Sequence, residues 1–408
     1  MVPLPTDISL MRIIAQGLIP ATAAESMEAV ARYSLALQGQ QVSAIPHAFL
    51  ARQPGARLAD VHAAFNEGML VRSWPMRGTV HVTSAHDHHW LRVATVHRYD
   101  RWWADAREKH GVTDALLQRA ADIALAEIAA SGPVRRERLI DLWVAEGLLQ
   151  LGTPVKKGAT MDEAWVQTSR RRRLILLLHL AGLVVQGPVG TNEHLIVDAR
   201  TLPDERSGPG GGEGVAYGES GHQAAMTEIA RRYATSHGPI CVADLARWLA
   251  FPVGQSAAAL EAAVEDSAGS SVPLVRMRVD EGGKLVEYVA PLSARERTAH
   301  ALYMRADLCD LLEAHRDEAM GTFYLGMFDE LHVGYKDRSC MADEVAEQLI
   351  CPGKNGMFQP FVCDRGRVVA VTRAQSGIHW VGGAAPSKRV EKAAGQVIDQ
   401  IRHRLSGR

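Results

Sequence analysis

The sequence predicts an α+β fold in which small helical units are each closed by a β-hairpin and a β-rich segment ends the chain. Three observations carry that reading. Apolar residues recur at helical spacing in stretches interrupted by turn residues. Three of these stretches run into apolar segments with hairpin chemistry, and after about residue 296 the strand candidates multiply.

In the first unit, expected over residues 1–110, Met27, Val30, Ala31, Ser34 and Leu37 recur at i, i+3, i+4 spacing, which makes a helix that gives way to a turn at Leu37-Gln38-Gly39-Gln40. Leu58 to Gly68 reads as a helix stopped by its glycine, and Leu70 to Thr83 as strand. The second unit, 111–203, has a helix from Leu116 to Ala130 stopped by Ser131-Gly132-Pro133. A second helix begins at Arg138, and a third runs from Leu174 to Gly182. Leu183-Val184-Val185 and His194 to Val197 then make a hairpin around Gly187-Pro188.

A glycine-rich linker is expected over 204–221. The third unit, 222–295, repeats the order with helices at Met226 to Ser236 and Val242 to Leu249. Its hairpin joins Leu274–Val279 to Leu285–Val289 through the turn Asp280-Glu281-Gly282-Gly283. The final segment, 296–408, is expected to hold a helix from Ala294 to Ala314, another at Asp343 to Leu349, strands at Gly321 to Phe328 and Phe358 to Thr372 with a turn at Gly366, and a basic helix from Lys388 to Leu405. A helical unit followed by a two-stranded hairpin is the sequence pattern of a winged-helix domain.

Bulk properties narrow the function classes. At 408 residues the chain exceeds one ordinary core and fits about two to four domains. The strongest apolar run, Leu174 to Val185, contains His179 and is too short to cross a bilayer. No basic start followed by an apolar core is found at the N-terminus, so a cytoplasmic protein is expected. The five cysteines show no metal-ligand spacing, and their odd number argues against a disulfide framework. A formal net charge of -1 argues against nonspecific coating of nucleic acid, so any polyanion contact is local. Arg135, Arg136 and Arg138 are candidates, as is the run Arg170 to Arg173, and each equally suits a solvated helix end.

The residues with chemical interest lie in the first unit. Gln38 and Gln40 bring two carboxamides to a turn, a pattern shared by polar caps and surface loops. Arg77, Thr79 and His81 fall on one side of the expected strand, where they suit either a polyanion or internal pairing, and Gly78 between them permits close backbone approach. Pro75 places the strand start there or makes it an edge. His86, Asp87, His88 and His89 match no metal-ligating helix face and read as a loop or helix start before Trp90.

Leu37-Gln38-Gly39-Gln40, Leu70 to His81, Gly238-Pro239, Gly334-Tyr335-Lys336-Asp337-Arg338-Ser339 and Asn355-Gly356-Met357-Phe358, in that order, resemble the AlkZ/YcaQ-like winged-helix DNA glycosylases. The resemblance implies three tandem winged-helix units forming a concave DNA-binding surface. It implies catalysis by Gln38 and Gln40, in the Gln-x-Gln form of the AlkZ branch, whose members excise alkylated purines and in some cases unhook bulky or crosslinked adducts. The expected activity is then a monofunctional DNA glycosylase of base excision repair that hydrolyses the N-glycosidic bond of N7- or N3-alkylated purines. Its partner would be double-stranded DNA carrying such bases, with no metal or cofactor, no membrane and a monomeric state. Arg77, Thr79, His81, Lys336, Arg338, Arg170, Arg171 and Arg172 are the expected DNA-binding or site-supporting residues. A noncatalytic winged-helix DNA-binding or regulatory protein, and a metal-dependent hydrolase using the histidine cluster, are the competing readings.

Overall fold

The computed structural model describes residues 3–149, 163–203, 209, 214–288, 293–353 and 355–407. Of the expected linker, residues 204–208 and 210–213 lie outside the described residues, as does Val289 of the expected third hairpin. Helices and strands alternate through the chain, which forms two compact units, Met1–Val61 with Met226–Arg408, and His62–Ala225. Among the described residues no helix is long and apolar enough to cross a membrane.

The first unit is built on helix Thr6–Ala15, apolar almost all round and therefore interior: Ile8, Leu10, Ile13 and Ile14 are buried with Leu308 and Leu312 of helix Leu308–Ala319. Two antiparallel sheets flank this core. One orders Ile240–Cys241, Leu302–Arg305, Leu274–Val279 and Leu285–Glu287; the other orders Thr322–Leu325, Phe361–Asp364, Arg367–Arg373 and Gly377–Trp380. Helix Lys388–Leu405 buries Val390, Ala394, Ile398 and Ile401, a single stripe at helical spacing.

In the second unit the strands Thr79–Ser84, Leu70–Met76, Val184–Val189 and His194–Asp198 lie side by side in that order. Helix Asp114–Ser131, capped by the Thr113 hydroxyl, presents Ala120, Ala121 and Ala124 to the core, and these small residues admit the indole of Trp143, whose Nε1 donates to the Ala120 carbonyl at 3.0 Å.

Four expectations need correction. Leu70 to Thr83 is a hairpin and not one strand, because Arg77 (φ +53°) and Gly78 (φ +65°) form a two-residue turn with both φ values positive, the geometry that matches strand twist. Pro75 sits inside the first strand, at the register shift between Ser73 and Met76 where no ladder donor is required. Gly187-Pro188 likewise lies within Val184–Val189 at a shift in register, and the turn falls four residues later, closed by Gly190 N–H to the Glu193 carbonyl at 2.7 Å. Ala294 to Ala314 is broken by strand Leu302–Arg305, a central strand whose Leu302, Tyr303 and Met304 are all buried, so its continuous apolar run carries no alternation.

Among the buried histidines of the second unit are His88, His179 and His194. Burial, with a contribution from Arg72, lowers His179 to about 3, and burial lowers His194 to about 4 and His88 well below its ordinary value. The folded values lie below the unfolded value, so the neutral rings contribute stability that is complete above pH 6.5 and is lost as pH falls towards 4. Each ring should cost about 1.4 kcal/mol per pH unit in this window. Protection factors of amides within His62–Ala225, referred to the intrinsic exchange rate at each pH, should fall between pH 6.5 and 4.5; protection independent of pH there would contradict the assignment.

Candidate active site

Helix Met27–Ser34 begins where the Ser26 hydroxyl accepts the Ala29 N–H at 3.0 Å, and it ends at Leu35, whose backbone (φ 63°, ψ -49°) closes a γ-turn with the Ala36 N–H on the Ser34 carbonyl at 2.8 Å. Positive φ at a branched apolar residue is costly, and the burial of Leu35, Ala36 and Leu37 holds it in place. The helical pattern expected to reach Leu37 therefore stops three residues earlier, and Leu37–Gln38 is a short strand. Gln38 is half-buried, Gly39 buried and Gln40 exposed, after which a 3₁₀ turn at Val42–Ala44 leads into helix Ile45–Arg52.

Both ends of this segment are held by adjacent acids. The Gln38 N–H donates to Oε1 of Glu330 at 3.2 Å, while Arg52 makes a bidentate ion pair with Asp329, Nη1 to Oδ2 at 2.9 Å and Nη2 to Oδ1 at 3.0 Å. All three charged residues are about 2% exposed or less. Burial alone would lower the Arg52 pKa, but the charge of Asp329 and its hydrogen bonds outweigh it and the net shift is upward. Asp329 also caps the short helix Glu330–Val333 through the Leu331 N–H at 2.9 Å, and Arg52 reaches Gln16, whose Nε2 donates to the Tyr335 hydroxyl at 2.8 Å.

Glu330 has further partners. Trp248 Nε1 donates to its Oε2 at 3.2 Å, and His237 Nε2 lies 3.5 Å from the same oxygen. Burial lowers the His237 pKa by more than Glu330 raises it, so the ring is neutral at neutral pH. Sequence reasoning missed Asp329 and Glu330. Their one signal is position, immediately upstream of the Gly334 to Ser339 segment.

That segment divides its functions. Tyr335 is buried, with the Arg12 guanidinium 3.8 Å from its ring centroid. Lys336 is exposed, although its N–H donates to Asp244 at 2.7 Å. Arg338 is half-buried and paired with Glu347 at 2.6 Å; burial would raise the Glu347 carboxyl, yet His332 and Arg338 together hold it at about 2.

The remaining expected residues belong to the compact unit His62–Ala225. Arg77 lies on the hairpin turn and not on a strand face, with Nη2 at 3.3 Å from Nε2 of the buried His81. His81 Nδ1 meets the Thr79 carbonyl at 2.9 Å, and Thr79 and His81 do share one side of strand Thr79–Ser84. Gly78 is approached by the Trp102 indole, which occupies the space a Cβ would need, while its N–H donates to the Tyr99 hydroxyl at 2.8 Å. The close approach expected at Gly78 is thus made by the protein itself.

Arg170 donates to the His110 carbonyl at 2.8 Å and so closes the end of helix Asp100–His110, whereas Arg171 and Arg172 are exposed. They line a cleft of about 960 Å³ with Arg135, Arg136 and Trp74. The histidine cluster is the start of helix Ala85–Thr95, with Asp87 bonded to the Ser84 cap and to Trp90 Nε1. Among the described residues no three His, Cys, Asp or Glu are grouped to hold a metal.

A turn with one half-buried and one exposed carboxamide, its main chain held by the buried Glu330, offers hydrogen-bond acceptors and fixed partial charges rather than a tuned acid or base. The family described as DNA glycosylase AlkZ-like matches residues 32–377, and the chain belongs to that family and is a DNA glycosylase. The solved structure of Streptomyces sahachiroi DNA glycosylase AlkZ is similar, with a TM-score of 0.59 at 17% identity, covering 100% of this chain and 98% of that one. Comparison with curated protein sequences finds no match.

Removing Asp329 would leave the Arg52 charge buried without its counterion. Asp329→Ala should destabilise the protein by about 3–5 kcal/mol in urea unfolding. The double variant Arg52→Met/Asp329→Leu should lose less. A double variant less stable than Asp329→Ala would contradict this account of the pair.

Proposed function

We propose that the chain hydrolyses the N-glycosidic bond of purines alkylated at N7 or N3, in base excision repair, with Gln40 and Gln38 as its catalytic residues. The observation that carries this reading is the clamped turn that leaves the Gln40 side chain exposed and half-buries Gln38, in a chain of the AlkZ-like DNA glycosylase family.

The chemistry follows from the leaving group. An alkylated purine carries a formal positive charge, so when the bond from C1′ to the base nitrogen breaks, its electron pair neutralises the ring and no acid is needed. The sugar is left with oxocarbenium character, and a water oxygen forms the new bond to C1′ while its proton passes to solvent. A carboxamide oxygen is a fixed partial negative charge and a hydrogen-bond acceptor, so it can both stabilise that cation and hold the water. Gln40 takes these two roles, and Gln38 orients the same water or the sugar. A neutral amide also avoids the repulsion that a second carboxylate would meet beside DNA phosphates. No lysine lies between Leu37 and Arg52, so the segment offers no amine for a Schiff-base lyase step.

In this reading the three helix-and-hairpin stretches act as winged-helix DNA-binding modules. Arg171, Arg172 and Lys336 contact phosphate directly, and Arg77 does so from its hairpin turn. Thr79, His81 and Arg170 steady the hairpin and a helix end of His62–Ala225, and Arg338 steadies the Gly334 to Ser339 segment, through the backbone and ion-pair contacts described above. Bulky or crosslinked N7 adducts are admitted as substrates, since they leave the same cationic ring.

On a duplex carrying one N7-methylguanine, Gln40→Ala should slow single-turnover base release by about 10²–10³-fold while DNA binding is retained. Gln38→Ala should act in the same direction. Release by both variants at the wild-type rate would remove the carboxamides from the mechanism.

A further inference from the structure

Glu330 is a carboxylate at 2% exposure, and on stability grounds alone an apolar side chain of similar volume would serve as well or better in its place. Its contacts suggest what it is kept for. One oxygen takes the main-chain N–H of Gln38 at 3.2 Å; the other takes Trp248 Nε1 at 3.2 Å and lies 3.5 Å from His237 Nε2. Trp248 is fixed in turn by stacking on Tyr233, 4.7 Å between ring centroids, and Tyr233 stacks on His237 at 4.6 Å and donates to the Gly334 carbonyl. The neighbouring Asp329 anchors Arg52 at the far end of the same segment.

We propose that Glu330 is a positioning residue for glycosidic hydrolysis: its carboxylate, fixed from one side by Trp248, holds the Gln38 main chain so that both carboxamides are presented in one geometry. The proposal rests on the catalytic reading of Gln38 and Gln40. It assigns Glu330 a role in rate and not only in folding. A carboxylate suits the position because both of its oxygens accept. Glutamine cannot replace it, since its single carbonyl oxygen can face either the Gln38 or the Trp248 N–H, and its NH₂ then confronts the other donor. The backbone of the turn would shift by a fraction of an ångström to about one ångström, and a misplacement of that size costs on the order of 10²-fold in rate.

Single-turnover release of N7-methylguanine from a duplex oligonucleotide, with the dissociation constant for the same duplex and the melting temperature, tests this on Glu330→Gln. The expected result is a rate about 10- to 100-fold below wild type with affinity essentially unchanged. Leu312→Ala, a core truncation in the same unit, is the control for lost stability and should release base at the wild-type rate. A wild-type rate in Glu330→Gln overturns the proposal, as does equal slowing in Leu312→Ala at a matched fall in melting temperature. If Glu330→Gln does not fold, Trp248→Phe removes the second anchor while leaving the Gln38 contact. A smaller loss in rate supports the proposal and a wild-type rate overturns it. Gln40→Ala is measured in parallel: a wild-type rate there means that the catalytic reading itself has failed, whereas a slow Gln40→Ala beside an unaffected Glu330→Gln removes the positioning role alone.

Discussion

Two adjacent buried acids hold the segment that carries the two proposed catalytic glutamines. Asp329 fixes Arg52 and Glu330 fixes the Gln38 main chain, so about fifteen residues of turn and helix are tied at both ends to one dipeptide. Burying such charges costs several kcal/mol per ion, and only complete hydrogen bonding offsets it. Here the donors are supplied by Arg52, Leu331, Gln38 and Trp248. The positive-φ γ-turn at Leu35 adds a strained link on the upstream side, kept in place by three consecutive buried side chains.

Such rigidity is the condition under which neutral amides become effective. A carboxamide is a weak base and acquires catalytic value only as a preorganised dipole, already aimed where charge will develop. A turn free to rearrange would spend that advantage on ordering itself. On the proposed mechanism the same reasoning would set the substrate range: without a tuned acid, the carboxamides would depend on a base that already carries charge, and an undamaged purine offers no such help.

The alternation of helix and hairpin was legible because turn chemistry and apolar spacing are local. Its errors were local too. Arg365-Gly366 and Arg77-Gly78 form hairpin turns of the same kind, with φ of +50° and +73° in one and +53° and +65° in the other. The first was recognised at Gly366, while the second was hidden by the regular alternation on either side of it. Strand Leu302–Arg305 was lost in a helical pattern because a central strand buried on both faces has no period of two. The glutamines stood out only through the motifs around them, since a carboxamide pair is common on protein surfaces. Asp329 and Glu330 were not legible at all: they are some 290 residues from Gln38 in sequence, and nothing local distinguishes an acid that will be buried from one that will be solvated.

The central claim is that the enzyme removes a base because the base is cationic. The most direct test is mass spectrometry of the material released from one duplex carrying a single N7-methylguanine among unmodified guanines, with the strand assayed before and after alkali. The account predicts free N7-methylguanine, no free guanine, and an abasic strand that breaks only after alkali. Release of unmodified guanine, or binding with no base released, would contradict it.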